Sequence, residues 1–141
     1  MKLSRRSEYG LRALQSLAAS YGSGPLATRD LAESNRIPVK FLEQILLQLK
    51  HAGVVRSRRG PSGGYVLARA PQEITLGTVV RILDGPLAPI SCASQTAYER
   101  CSCPDESTCG LRRVMLEVRD AVADIMDHTT LADVAHHDTD G

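Results

Sequence analysis

Four cysteines stand late in the chain, Cys92, Cys101, Cys103 and Cys109, with eight, one and five residues between them. A thiolate is a soft ligand for zinc or iron and, left without metal, a redox-sensitive nucleophile. Zinc ribbons and fingers use paired short spacings, which this run lacks, yet a structural zinc site stays open to it. Free redox-sensing thiols, or a switch disulfide among the four, are open as well. A catalytic cysteine is disfavoured, because no companion histidine or glycine-rich oxyanion loop accompanies it. No stretch approaches the ~20 apolar residues of a membrane span. The opening Met1-Lys2-Leu3-Ser4-Arg5-Arg6 has no apolar run behind it, so it does not read as a signal peptide. The expected setting is a cytoplasmic one, where reducing conditions favour metal binding or redox chemistry over structural disulfides.

A second group of residues could do chemistry on a polyanion. The net charge of +1 conceals a split: residues 1–70 carry twelve Lys or Arg against four Asp or Glu, a net +8, and residues 71–141 carry five against twelve, a net −7. A basic half joined to an acidic half suits a nucleic-acid-binding head with a separate second module. The alternative is a dipolar surface with no polyanion partner. Within the basic half, Arg56, Arg58 and Arg59 flank the glycine-rich run Gly60-Pro61-Ser62-Gly63-Gly64. No glycine-lysine-serine/threonine sequence follows and no helix begins there, so the run is not a P-loop.

These residues need elements to position them. Thr28 can cap a short helix that carries Asp30 in its first turn, Leu31 and Ala32 inward, and ends near Asn35. Pro38 suits the first position of a second helix. Leu42, Ile45, Leu46 and Leu49 form its apolar face, and Gly53 stops it. Residues 54–58 and 65–68 read as strands joined by a turn. Two helices and a basic hairpin make a winged helix-turn-helix, whose second helix can enter a DNA major groove. Lys40, Glu43, Gln44 and Gln48 lie off its apolar stripe. Lys40 is placed for a phosphate or base edge, Gln44 can bond adenine and Glu43 can accept from cytosine. They read equally as solvent-facing residues on periodicity alone, and Phe41 fits either core or groove surface. Arginine in the wing can enter a narrow A·T-rich minor groove.

Around this motif, residues 4–19 read as a helix capped by Ser4, with Leu11, Leu14, Leu17 and Ala18 inward and a Glu8–Arg12 ion pair on its solvated face. Thr75 caps another, with Leu76, Val79, Val80 and Leu83 inward and Gly85 as its stop. Residues 86–110 read as a linker and a cysteine-bearing loop. A long helix follows from 111 to 128, with Leu111, Val114, Met115, Val118, Val122, Ile125 and Met126 at threes and fours, close to a heptad seam. Its expected use is pairing with a second copy; the alternative is folding back on its own head. Residues 130–134 add one more turn, and 135–141, with His136 and His137, read as a frayed tail. With 43% hydrophobic residues, one Phe, four Tyr and no Trp, aliphatic helix packing should dominate. The expected fold is mainly α with a small β-hairpin wing. It divides into a winged helix-turn-helix domain (1–85), a cysteine loop (86–110), a dimerisation helix with its last turn (111–134) and a tail.

The segment Phe41-Leu42-Glu43-Gln44-Ile45-Leu46, followed by Arg59-Gly60-Pro61-Ser62-Gly63-Gly64-Tyr65, resembles the IscR/NsrR/RirA/CymR family of bacterial transcription regulators. The opening Met1-Lys2-Leu3-Ser4 and the cysteines extend the resemblance to about residue 130. It implies a homodimer bound to a double-stranded DNA operator, with no membrane association and no enzyme activity. Thr28, Pro38, Lys40, Glu43, Gln44, Arg56, Arg58, Arg59, Ser62 and Gly63 would face DNA, and the family's wing arginine matches Arg59. It also implies an iron–sulfur cluster, 2Fe–2S or 4Fe–4S, whose state reports iron, nitric oxide or redox poise, and which an aerobically purified sample can lack. Cluster-binding members carry three cysteines here, the last two five residues apart. Cys103 and Cys109 match, and Cys92 stands where the first is expected, although its gap to Cys103 is longer than in IscR or NsrR and Cys101 is extra. For the fourth ligand, IscR uses a histidine whose position is Arg112 here, which cannot ligate. NsrR-like members use an acidic residue of the partner subunit's first helix, matching Glu8; another relative adds a histidine one turn on, where this chain has Arg12. Glu8, with Cys101 as its alternative, is therefore the expected fourth ligand. Cluster-free members of the CymR kind, using thiols or a protein partner, and a zinc-stabilised nucleic-acid-binding or interaction module are the competing readings.

Overall fold

A computed structural model describes residues 2–87 and 109–140, with the side chains of 136–140 left undescribed. Cys92, Cys101 and Cys103, and hence most of the expected cluster loop, lie outside the described residues. Among the described residues six helices and one hairpin follow in order: α1 (Arg5–Ala19), α2 (Thr28–Asn35), α3 (Val39–His51), β1 (Val55–Arg58), β2 (Gly64–Leu67), α4 (Leu76–Asp84), α5 (Gly110–His128) and α6 (Leu131–Asp140). A 3-10 turn, Pro71–Glu73, leads into α4.

Helices α1 to α4 close on one aliphatic core. Leu14, Leu31, Leu42, Ile45, Leu46, Leu49 and Val79 are fully buried in it, each from the inward stripe of its helix. Ser4 caps α1 by accepting from the Ser7 N–H, and Thr75 caps α4 by accepting from Thr78, both as expected. The end of α3 closes with paired backbone bonds from Gly53 to Lys50 and from Val54 to Leu49, with Gly53 at φ 82°. That is the glycine stop read from the sequence.

The hairpin pairs antiparallel, Val55 with Leu67 through Arg58 with Gly64. Leu26 joins it as a third edge, exchanging both backbone bonds with Tyr65 at 3.0 and 2.9 Å. Gly64 makes this possible: its φ is 153°, and a Cβ there would strike the Leu26 carbonyl. The same pairing corrects the cap of α2. Because Leu26 is still in the sheet, the chain turns at Ala27, whose backbone takes the cap position, and Thr28 is already helical with no side-chain cap bond. Pro38 likewise sits at the cap of α3 rather than in its first turn.

The largest departure is at the C-terminal end. In place of a single turn over 130–134 and a frayed tail, Leu131–Asp140 form α6. Thr130 and Asp133 cap each other reciprocally, Asp133 N–H to Thr130 Oγ1 at 3.2 Å and Thr130 N–H to Asp133 Oδ2 at 2.9 Å. Leu131 is completely buried and Ala135 nearly so. Backbone bonds from Leu76 to Thr129 and from Leu131 to Ile74, both 2.9 Å, stitch the α5–α6 junction to the start of α4. Gln15 of α1 donates to the Val134 carbonyl at 3.2 Å. The burial of Leu131 and Ala135 against the head is what the frayed-tail reading omitted.

Candidate nucleic-acid interface and regulatory elements

The second helix of the motif, α3, presents two unlike faces. Its inner face is the buried stripe. Its outer face carries Pro38 at the cap, then Val39, Lys40, Glu43, Gln44 and Leu47, all exposed. Lys40 Nζ lies 3.9 Å from Glu43, a loose pair on a side chain that is 92% exposed, so it restrains neither residue much. Val39 and Leu47, 39% and 46% exposed, were not singled out in the sequence. The available signal was a branched apolar residue off the buried stripe, directly after Pro38.

Gln48 does not belong to that outer face. It accepts from Arg6 Nε and Nη2 at 2.9 and 2.6 Å and donates to the Ile82 carbonyl at 2.9 Å, so it braces α3 between α1 and α4. Phe41 is half-buried, edge-on to Tyr9 of α1 with ring centres 5.5 Å apart. Arg12 lies over the Tyr9 ring at 4.9 Å and donates to the Asn35 carbonyl at 3.0 Å, where α2 ends in a left-handed Arg36 (φ 54°). The expected Glu8–Arg12 pair is therefore absent: the guanidinium is turned to the helix-turn-helix corner, and the exposed Glu8 carboxylate has no ion-pair partner among the described residues.

In the wing, Arg59 and Ser62 are exposed at the tip and Gly63 is half-buried in the turn, its N–H bonded to the Gly60 carbonyl at 2.9 Å. Arg56 and Arg58 are two apart on β1, so the strand's alternation sends both to one face. They line a groove against the loop after α1, together with Val66 and Leu67 of β2.

Cys109 occupies the cap of α5, its Sγ accepting from the Arg112 N–H at 3.4 Å. A rigid helix thus fixes one of the expected sulfur donors. Among the described residues no three metal-ligating side chains converge.

The apolar stripe of α5 is divided. Val122 and Met126 line a groove of about 470 Å³ with Leu3, Val80 and Leu87 of the same chain. Leu111, Val114, Val118 and Ile125 stay 60%, 47%, 38% and 65% exposed, at heptad spacing. One bidentate ion pair, Arg81 Nη1 and Nη2 to Asp127 at 2.6 and 2.9 Å, clasps α4 to α5. Gly77 leaves room for it, since a Cβ there would run into the Asp127 carboxylate. The hydrogen bonds from Arg81 hold the Asp127 carboxyl below the usual carboxylate range, and Asp127 in turn raises Arg81. At the C-terminal end of α4, burial pushes the Asp84 carboxyl up, but bonds from the Ser4 hydroxyl and N–H, with the nearby Ser7 hydroxyl and the Arg6 charge, together hold it down.

The family model described as Rrf2, iron-dependent transcriptional regulator, matches residues 3–137. The HTH-type transcriptional regulator CymR of Bacillus subtilis is 36% identical over 141 residues, covering all of this chain and 94% of that protein. The solved structure of CymR, the global cysteine regulator of B. subtilis, superimposes with a TM-score of 0.82 at 35% identity, covering 97% of this chain and 98% of that one. IscR of T. potens superimposes with a TM-score of 0.76 at 30% identity, covering 97% and 88%.

Proposed function

This chain belongs to the Rrf2 family of transcriptional regulators, and from that premise we propose that it reads a double-stranded operator as a homodimer and senses its signal through a cysteine-held iron–sulfur cluster. Regulators of this family bind DNA and are not enzymes. The observation that carries the DNA reading is the outer face of α3, exposed along its length with Lys40, Glu43 and Gln44 at its centre, while the inner face is buried. On this reading Lys40 meets a phosphate or base edge, Glu43 and Gln44 read cytosine and adenine edges, and Val39 meets a thymine methyl. Thr28 and Pro38 position the helix-turn-helix corner. Arg59, with Ser62 and Gly63, brings the wing tip to the minor groove, while Arg56 and Arg58 supply positive potential behind it.

The exposed heptad face of α5, Leu111, Val114, Val118 and Ile125, would seat against its copy in a second chain, with Met115 and Val122 at its margin. Two heads joined this way read two half-sites about 34–36 Å apart. For the cluster, Cys92, Cys103 and Cys109 would supply the thiolates, and Glu8 of the second copy or Cys101 the remaining position. The fit rests on the fixed Sγ of Cys109 at the head of α5 and on a Glu8 carboxylate left uncommitted on α1. A bound cluster supplies a charged centre that redox change or nitric oxide can alter. The clasp of α4 on α5 and the bracing of α3 by Gln48 then tie the cluster-bearing helix to the DNA-reading face.

The second reading, a cluster-free regulator acting through its thiols or a protein partner, is favoured by the close likeness to CymR. Anaerobic reconstitution separates the two. The cluster reading expects stoichiometric iron and sulfide with visible absorption, abolished by Cys109→Ser and destabilised by Glu8→Ala more than by Cys101→Ala. Colourless, iron-free protein with zinc or oxidisable thiols would leave the cluster reading without support.

A further inference from the structure

The groove between the wing and the loop after α1 has about 410 Å³ of room and is lined chiefly by Leu17, Tyr21, Arg56, Arg58, Val66 and Leu67. We propose that it is a binding site for a compact organic dianion, a small dicarboxylate or phosphorylated carboxylate, distinct from both the DNA-reading face of α3 and the cysteine segment. Three of the lining residues carry donor side chains with no internal partner among the described residues. Arg56 and Arg58 form no ion pair among the described residues, and the half-exposed Tyr21 hydroxyl makes no hydrogen bond there. Ser20, also at the rim, has its proton committed to the Ser16 carbonyl at 3.2 Å and adds only an acceptor.

The two arginines spring from one strand face about 7 Å apart, a separation that suits two anionic groups on one short carbon chain. Each planar guanidinium can engage an oxyanion bidentately. Leu17 and Val66 provide an apolar floor for the chain between them, the mix of apolar wall and few placed polar groups that small-molecule sites show. The volume falls in the small-ligand range. Oxyanions could also arrive as backbone phosphates of a bound duplex, so the test must tell the two sources apart.

The test follows amide shifts of the full chain by NMR while succinate, and separately inorganic phosphate, is added at constant ionic strength. The expected result for succinate is saturable movement confined to residues around Tyr21, Gly24, Arg56 and Val66, with a dissociation constant of about 1 mM or tighter. The Arg56→Gln, Arg58→Gln double variant should weaken it about tenfold or more, Tyr21→Phe several-fold, and Arg59→Gln not at all. The rest of each spectrum reports whether the variant is folded. Phosphate should bind more weakly than succinate, having no second anionic group. No saturable succinate binding, or binding equal in wild type and double variant, would overturn the proposal. So would a double variant that loses only operator affinity, since the arginines would then serve DNA phosphates.

Discussion

Replacing Val114 and Val118 by Glu should convert the protein to a folded monomer. Both lie on the exposed side of α5 with Leu111 and Ile125, and about half of each of these four side chains faces solvent. Complete burial of a Val, Leu or Ile side chain stabilises by ~1.5–3 kcal/mol, so burying the exposed half of each contributes about 1 kcal/mol. Eight such side chains across a twofold interface give roughly 8 kcal/mol toward the cost of association, itself about 4–15 kcal/mol. The double substitution removes half of that gain, about 4 kcal/mol or roughly a thousandfold in dissociation constant. It also places four carboxylates where they would have to be desolvated, at several kcal/mol each. Sedimentation velocity at micromolar concentration reads the outcome. Because neither valine touches the core, circular dichroism and the melting temperature should stay close to wild type. Val122→Glu is the contrast: Val122 lines the groove between α5 and α4, so its change should lower the melting temperature. A folded Val114→Glu, Val118→Glu protein that sediments as a dimer would refute the interface.

The Arg81–Asp127 clasp makes stability depend on pH. The folded carboxyl titrates below its unfolded value near ~3.9, so the contribution is complete above that value and is lost as pH falls through the folded one. Both side chains are about one-third exposed, which limits the gain to about 1 kcal/mol. Asp127→Asn should therefore lose about that much in urea unfolding near neutral pH, with the gap closing in acid; an equal gap at both pH values would count against the clasp. Leu131→Ala removes a fully buried side chain and should cost ~2–5 kcal/mol. A loss under about 1 kcal/mol would show that α6 contributes little to the core. Gly77→Ala should destabilise by forcing Asp127 away from Arg81, and the double change with Asp127→Ala should cost less than the two single losses added together.

The helices were legible wherever an apolar stripe and a cap coincided. Ser4, Thr75, Gly53 and Gly85 all act as the residue types announce. Thr28 misled because its type suits a cap, yet the start of α2 is set by a non-local event, the pairing of Leu26 with Tyr65. Helix α6 was missed although Thr130 and Asp133 have the spacing of a capping pair. Its apolar residues are few, and the burial of Leu131 depends on distant parts of the chain, α1 and the segment from Pro71 to Ile74. The long stripe of α5 was visible, but which of its residues face the head was not, since the division rests on where α4 places Val80 and Arg81. Gln48 shows the same limit at the site: its position off the stripe fits DNA contact, and only the arrival of Arg6 and the Ile82 carbonyl gives it a bracing role.

The central claim is that α3 and the wing tip read DNA, and the most direct test is operator affinity measured against salt for wild type and Arg59→Ala. The duplex would be selected from random sequence by the wild-type protein, and binding followed by fluorescence anisotropy. If Arg59 meets a phosphate or the narrow minor groove, its loss should weaken binding and flatten the slope of log K against log salt by about 0.9. Wild-type affinity with an unchanged salt slope in the Arg59→Ala protein would contradict the account.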